Sequence, residues 1–174
     1  MRVHSRQRGV TLLELVIVLV VLAVIVAFIY PVLTQAITAY QDTSAAVGAA
    51  AKGRYALERI AREVRDVRRS TADDAQFDIA TMTASQMAFT RIDGVTVTIT
   101  GSGTKATLGY STPAATSDLV DQLTNAASIF QYLQSDGITA ATASNVRYVE
   151  ITLTLSQASG TYSNRMRLAL RNPQ

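Results

Sequence analysis

The sequence predicts an α+β protein in which a long N-terminal helix packs against a C-terminal antiparallel β-sheet. Three observations lead to this fold class: an apolar run over residues 12–30, an amphipathic pattern over residues 54–69, and alternating polar and apolar residues in several segments beyond residue 76. Apolar residues that recur about every 3.6 positions indicate a helix, whereas strict alternation indicates a strand. The length of 174 residues suits one soluble domain plus one helical anchor.

The apolar run is long enough to cross a membrane. It reads LLELVIVLVVLAVIVAFIY, and Glu14 is the only charged residue in it. At about 1.5 Å per residue the helix spans roughly 28 Å, close to the thickness of a hydrocarbon core. Its Leu, Val, Ile and Phe residues together favour insertion by about 4–9 kcal/mol, which exceeds the roughly 3 kcal/mol cost of one carboxylate near the end. We therefore predict that the segment inserts.

Two other interpretations of the run are weaker. A buried strand is usually shorter than about ten residues. A secretory signal peptide fits the basic start, but the run exceeds the usual apolar region of such peptides, and no clear A-x-A cleavage site follows it. Because Arg2, Arg6 and Arg8 precede the run, the positive-inside rule places the N-terminus in the cytoplasm and the remaining chain across the membrane.

The mildly basic composition also comes from the N-terminus. The chain has 16 Lys and Arg against 13 Asp and Glu, a net charge of +3. Three of these basic residues lie in the first nine positions, so the rest of the chain has 13 basic and 13 acidic residues and is formally neutral. The composition therefore gives little support for binding to nucleic acid.

The junction between the basic start and the apolar run carries a recognisable motif. Residues 8–18, RGVTLLELVIV, resemble the class III signal of type IV prepilins and type II secretion pseudopilins. The resemblance implies that prepilin peptidase cuts after Gly9, that the new N-terminal residue Val10 is methylated, and that Glu14 assists assembly. Pro31 stands where many family members have a helix-kinking proline. Val10 departs from the family pattern, in which Phe is commoner.

The position of Glu14 also has a physical explanation. A lone carboxylate in lipid is costly unless it is paired. Cleavage after Gly9 creates an amine on Val10 that is cationic at neutral pH. Because Val10 and Glu14 are spaced i,i+4, the two charges can meet on one helix face or between neighbouring subunits. The alternative is a chance glutamate near a membrane interface, and the adjacent glycine and basic leader argue against it.

The segment beyond the anchor predicts a helix that packs on a sheet. Residues 54–69 place one apolar stripe on a helix face, formed by Leu57, Ile60, Ala61, Val64 and Val67. Four i,i+4 pairs of opposite charge follow the same helix: Arg54–Glu58, Glu58–Arg62, Arg59–Glu63 and Arg62–Asp66. We interpret the arginines as a solvated face balanced by these acids, and not as an anion or DNA site. Gly48 and Gly53 weaken the preceding helix.

The remaining sequence predicts strands joined by turns. The strands are expected at residues 86–92, 95–100, 105–110, 128–133, 145–155 and 165–170. Asp93-Gly94 fits a two-residue hairpin turn, and Gly101-Ser102-Gly103 is another predicted turn. Residues 70–76 and 111–118 are predicted loops.

This layout resembles the pilin fold. The stretches 56–68 (ALERIAREVRDVR), 87–94 (MAFTRIDG), 130–137 (FQYLQSDG) and 146–155 (VRYVEITLTL) resemble minor pilins of the MshO/PilW type and the related pseudopilin J. The chain lacks the cysteine pair that closes a C-terminal loop in many major pilins, which favours a minor subunit. The expected organisation is a cleaved leader over 1–9, a transmembrane and assembly segment over 10–36, and a periplasmic pilin-like domain over 37–174.

Enzymatic chemistry is not predicted. The chain has no cysteine, and its one histidine, His4, lies in the predicted leader. A Ser-His-Asp triad, a thiol nucleophile and a histidine metal site are therefore excluded from the mature chain. The glycines at 101 and 103 lack the Gly-Lys-Ser/Thr and the helix of a P-loop. We interpret Asp73, Asp74 and Asp78 as a charged loop and not as a calcium site, and we expect no metal or other cofactor.

Two functions of different classes follow. The first is a structural subunit, a minor pilin or pseudopilin that prepilin peptidase processes in the inner membrane. It would join other subunits in a type IV pilus or a type II secretion pseudopilus, at or near the tip. The second is a membrane-anchored periplasmic binding domain that never polymerises. A plain anchor needs neither a glycine before its span nor a glutamate within it, so the motif favours the first. Adhesion, DNA uptake and secretion are not distinguished by the sequence.

Overall fold

The computed structural model describes residues 11–73, 76–157 and 160–171. The chain divides into two compact units, Met1–Thr43 and Ser44–Gln174. Helix α1 (Leu12–Arg65) contributes residues to both units. The predicted α+β fold class is confirmed, because the second part of α1 packs against antiparallel β-structure.

Within the described residues the β-structure forms two sheets, and not the single sheet that the sequence suggested. The first sheet is a five-stranded meander in chain order: β1 (Ile79–Met82), β2 (Gln86–Thr90), β3 (Thr96–Ser102), β4 (Lys105–Ser111) and β5 (Ala114–Val120). The second sheet has three strands in chain order: β6 (Phe130–Leu133), β7 (Tyr148–Gln157) and β8 (Gly160–Ala169). All neighbouring strands are antiparallel.

One core joins α1 to both sheets. Four residues of the predicted stripe, Leu57 to Val64, lie in α1 and are at most 3% exposed, whereas Val67 is buried beyond the end of the helix. The first sheet faces it with Met87, Phe89, Val97, Ile99 and Leu108, and the second faces it with Val149, Ile151, Leu153 and Leu155. Burial of each large apolar side chain stabilises the fold by about 1.5–3 kcal/mol. The alternation of buried and outward residues along β3 and β7 shows that one face of each sheet supplies this core.

The helix ends at Arg65, four residues before the predicted end at residue 69. The backbone beyond it pairs with other segments: the Arg68 N–H donates to the Thr90 carbonyl at 3.0 Å, and Val67 forms a bridge with Arg91. These hydrogen bonds to β2 and the residue after it replace the helical ones. Val67 fits the apolar stripe of the sequence because its side chain is buried, although it lies beyond the helix.

Two predictions about the β-structure are wrong, and one strand is missed. The predicted loop over residues 111–118 overlaps β5 (Ala114–Val120), whose residues up to Asp118 are exposed. Strand β1 was not predicted, because four residues are too short to show alternation. The predicted two-residue turn at Asp93-Gly94 has three residues, since the Arg91 N–H donates to the Val95 carbonyl at 2.9 Å. Gly94 has a φ of 84°, as a glycine in a three-residue hairpin does.

The turn predicted at Gly101-Ser102-Gly103 begins later than expected. Strand β3 extends to Ser102, and β4 begins at Lys105. Gly101 therefore lies within a strand, where a Cβ would overlap the Ala126 carbonyl oxygen. Gly103, with a φ of 59°, supplies the turn.

Gly53 is a close-packing position and not only a weak point in the helix. A Cβ built there would overlap the Asn164 amide and lie 3.3 Å from Leu155 Cδ1. The helix therefore approaches β8 where it carries no side chain. Gly48, five positions earlier, is exposed, and a Cβ there would meet nothing within 4 Å.

The two glycines should respond oppositely to alanine. Gly48→Ala should stabilise the protein by up to about 1 kcal/mol through helix propensity. Gly53→Ala gains the same propensity but forces Asn164 aside, and overpacking costs about 1–3 kcal/mol, so we expect net destabilisation. Thermal unfolding of the full chain in detergent, followed by circular dichroism, measures both. Stabilisation of equal size by both substitutions would contradict the close contact at Gly53.

Candidate functional site

The first turn of α1 is capped by Thr11. The Glu14 N–H donates to the Thr11 hydroxyl oxygen at 3.2 Å, and the Leu15 N–H donates to the Thr11 carbonyl at 3.2 Å. Thr11 is therefore the N-cap residue, and Glu14 occupies the third helical position, which is the spacing of a capping box. Thr11 was not among the predicted site residues, although the Thr-x-x-Glu pattern was sufficient to identify it.

Glu14 lies at the positive end of the helix. The first N–H groups of a helix have no intrahelical acceptor, and the helix dipole favours a negative charge beside them. Glu14 is the acidic residue of this first turn, and it is exposed. Its carboxylate thus stabilises the helix start whether or not a second charge is present. This local role is additional to the assembly role that the motif implies.

The helix around Glu14 presents apolar side chains on all sides. The large hydrophobic residues from Leu12 to Tyr30 are between 46% and 81% exposed. By length and composition α1 is able to cross a membrane, with a mean hydropathy of 3.4 in its most apolar window. Contiguous apolar surface of this extent is covered by lipid or by other helices in a stable protein. The helix is therefore suited to anchoring in a membrane.

Pro31 lies inside α1, and the helix continues through it. Proline has no N–H, so the carbonyl four residues earlier loses its helical donor. One turn later the Thr34 hydroxyl lies 3.1 Å from the Tyr30 carbonyl and 2.9 Å from the Pro31 carbonyl. The Thr34 hydroxyl therefore supplies an additional hydrogen-bond donor to carbonyls next to the proline. A kink at Pro31 stays a prediction.

Gly9 and Val10 lie outside the described residues, so the geometry of the cleavage junction is not part of the structure. Helix α1 begins at Leu12, two positions after Val10. The pairing of the Val10 amine with Glu14 stays a prediction. A pair between neighbouring subunits does not require Val10 to be helical, whereas the i,i+4 pair within one chain does.

Glu63 is the centre of a buried charge cluster between α1 and the first sheet. This side chain is 4% exposed, and its carboxylate lies 3.2 Å from both Arg59 and Arg91. The Tyr110 hydroxyl donates to it at 2.8 Å and accepts a hydrogen bond from Arg59. Burial and then the neighbouring Glu63 raise the pKa of Tyr110, so the hydroxyl stays a donor.

The Glu63 cluster corrects the interpretation of the arginines as a uniformly solvated face. Two predicted pairs are present, Arg54–Glu58 at 2.8 Å on the surface and Arg59–Glu63 in the cluster. Asp66 lies 3.7 Å from Arg91 and not beside Arg62 as predicted. The C-terminal end of α1 is thus fixed to β4 and to the hairpin after β2.

A second buried carboxylate, Glu150, lies on the face of the second sheet that is turned away from α1. It is 4% exposed and is hydrogen-bonded by Arg165 and Arg167. Burial by itself raises the pKa of Glu150, but the hydrogen bonds and positive charges of both arginines outweigh it and hold that pKa below its usual range. Glu150 therefore remains ionised and ties β7 to β8.

Both charged clusters join elements of the fold: Glu63 ties α1 to β4 and to the hairpin after β2, and Glu150 ties β7 to β8. Within residues 11–73, 76–157 and 160–171 no group of three or more metal-ligating side chains occurs. Asp78, from the predicted charged loop, is paired with Arg68 at 2.7 Å, and Asp74 lies outside the described part of the chain. The feature of functional interest is therefore the capped, glutamate-bearing start of α1.

The comparison with protein families agrees with this location of the site. Residues 4–30 match the prokaryotic N-terminal methylation motif. The match includes Gly9, Val10 and Glu14 and ends just before Pro31. Searches of curated proteins and of solved structures found no significant match. The chain thus carries the signal of a prepilin-like substrate of prepilin peptidase, and this signal points to a structural subunit and not to an enzyme.

Proposed function

We propose that this protein is a minor pilin or pseudopilin that is cleaved after Gly9, methylated on Val10 and incorporated at or near the tip of a type IV pilus or a type II secretion pseudopilus. The observation that carries the proposal is the methylation motif over residues 4–30, which continues into an exposed apolar helix with Glu14 in its first turn. In this proposal residues 1–9 are the leader, 10–36 the membrane and assembly segment, and 37–174 the periplasmic domain.

The anchor holds the subunit ready for assembly. The apolar helix keeps the chain in the inner membrane with its N-terminus in the cytoplasm, where the peptidase cuts. Transfer of the helix from lipid to a bundle of similar helices gains little from the hydrophobic effect, because lipid tails are as apolar as leucine. A more specific interaction must therefore favour the assembled state.

Charge pairing supplies that interaction. Before assembly the Glu14 carboxylate lies near the end of the span and reaches water at the interface. In a helical bundle it is desolvated, and the ammonium of Val10 from the same or an adjacent subunit offsets the cost. Cleavage creates this ammonium, so only the processed subunit has the partner for Glu14. Cleavage after Gly9 therefore makes the subunit competent for assembly.

The proposal predicts that a side chain at Gly9 blocks both steps. In cells with an active prepilin peptidase, Gly9→Leu should leave the protein unprocessed and confined to the membrane fraction. The wild-type chain should be shortened and should also appear in sheared filaments. Immunoblots of the two fractions measure this. A wild-type chain that is found in membranes and never in filaments would instead support a membrane-anchored binding domain that does not polymerise.

A further inference from the structure

The two sheets of the second unit differ in how their edge strands are exposed, and in the described part of the chain two of the four edges are both long and unpaired. The edge at β6 is occupied by the chain itself, since the Ala141 N–H donates to the Tyr132 carbonyl at 2.9 Å and the Phe130 N–H donates to the Ala84 carbonyl at 2.8 Å. The edge at β1 is short and interrupted by a register shift. The edges at β5 and β8 have seven and ten residues, and within the described residues no backbone hydrogen bond reaches their outer sides.

The two open edges differ in how they are protected against pairing. Long open edges are usually blocked by charged side chains, prolines or bulges. Strand β8 carries Arg165 and Arg167, which share the single carboxylate of Glu150 and leave an excess positive charge. Strand β5 has small, exposed, uncharged residues up to Ser117, and its one charge is Asp118. Strand β8 thus carries an excess of positive charge, whereas β5 offers one carboxylate, paired with Lys105 of β4 at 2.5 Å, and no positive side chain of its own.

Helix α1 runs between these edges. On the β8 side, a groove of about 520 Å³ is lined by small or apolar residues, including Val47, Ala50, Ala51 and Met166, with Arg54 and Arg165 among its polar lining residues. On the β5 side, Lys52 of α1 pairs with Asp121 at 3.2 Å. An extended strand that adds to β8 would therefore gain backbone hydrogen bonds and also cover the groove.

We propose that β5 of one copy pairs with β8 of a second copy, with the small side chains of β5 against the α1 groove and Asp118 near Arg165 or Arg167. Pairing of β8 with itself would bring arginines of like charge together. Because the two edges are different surfaces, the contact is heterologous and is able to repeat along an assembly. The inference rests on the proposed function in that it supplies a contact between assembled subunits, additional to the one at Glu14.

Cysteine cross-linking tests this contact on the full chain, which has no native cysteine. Thr116→Cys on β5 and Ser163→Cys on β8 introduce single thiols at exposed positions. The variants are expressed separately and as a mixture in the same cells, and each sample is treated with a short bis-maleimide in native membranes and in detergent. We expect dimers in the mixture and not with either variant by itself. Dimers of Thr116→Cys alone or Ser163→Cys alone, or no dimer in the mixture, would overturn the inference.

A charge variant tests the proposed register. Asp118→Asn removes the only charge of β5 and, at a surface pair with Lys105, should not affect folding. It should lower the yield of the mixed dimer several-fold, whereas Asp121→Asn, just beyond the strand, should not. Equal yields for both variants would contradict the role of Asp118.

Processing and filament content are measured in the same samples. If the protein is processed and found in filaments but the mixed dimer is absent, the strand contact is wrong and the proposed function stands. If the mixed dimer forms from a chain that is never processed, the strand contact stands and the proposed function is wrong.

Discussion

Glu14→Ala is expected to leave membrane insertion intact while reducing incorporation into filaments by more than tenfold. Removal of the charge makes the span more apolar, so insertion should be no worse. Breaking a buried charge pair costs about 3–5 kcal/mol, and a factor of ten in an equilibrium corresponds to about 1.4 kcal/mol. Even a pair that retains half of its hydration would therefore change incorporation strongly. The ratio of protein in sheared filaments to protein in membranes measures the effect.

Two further variants separate the assembly role of Glu14 from its role at the helix start. Glu14→Gln removes the charge but keeps a side chain that fits a capping box. Thr11→Ala removes the cap, which is worth about 1 kcal/mol, but keeps the charge. If charge pairing drives assembly, Glu14→Gln should resemble Glu14→Ala, and Thr11→Ala should have the smaller effect. Wild-type incorporation of both Glu14 variants would show that Glu14 is not the assembly contact.

Glu63→Ala should produce a large loss of stability in the helix–sheet contact, although Glu63 is a charged residue. It leaves Arg59 and Arg91 without their shared carboxylate and the Tyr110 hydroxyl without its acceptor. The Arg59 and Arg91 side chains are still 33% and 26% exposed, so water compensates part of the loss. We therefore expect destabilisation of about 2–3 kcal/mol, toward the lower end of the range for a broken buried pair.

Thermal unfolding of the full chain in detergent measures this loss, and Glu58→Ala is the matched control. Glu58 lies on the same helix and pairs with Arg54 at 2.8 Å, but both side chains are mainly exposed. Removal of such a pair changes stability by less than about 0.5 kcal/mol. A loss for Glu63→Ala no greater than that of the control would show that the cluster does not fix the helix to the sheet.

The parts of the fold that were predictable have local sequence patterns. The stripe from Leu57 to Val67 repeats with helical spacing, and β7 alternates over ten residues. Strand β5 was missed because its side chains up to Asp118 are exposed on both faces, so hydrogen bonds to β4 hold most of it in place without an alternating buried set. A division into two sheets was likewise not readable, because register between distant strands leaves no trace in a single sequence.

The charged sites differ in the same way: the candidate site is a local pattern, whereas the Glu63 cluster depends on the fold. The predicted residues of the candidate site lie within a few positions of each other, so the spacing of Gly9, Val10 and Glu14 is a local pattern, and the motif match over residues 4–30 includes all three. The Glu63 cluster joins Glu63 to Arg91 and to Tyr110 over 28 and 47 residues. Sequence reading paired Glu63 with Arg59 at i,i+4 and therefore took it for a surface residue. Only the fold brings Arg91 and Tyr110 to the same carboxylate.

The most direct test of the account is the intact mass of the native protein extracted from membranes of cells with an active prepilin peptidase. The account predicts a chain that has lost residues 1–9 and gained one methyl group on the Val10 amine. Fragmentation of the N-terminal peptide assigns that methyl group to the amine and not to a side chain. A native chain that still begins at Met1 would contradict the account, because neither the Val10 ammonium nor its pairing with Glu14 would then exist.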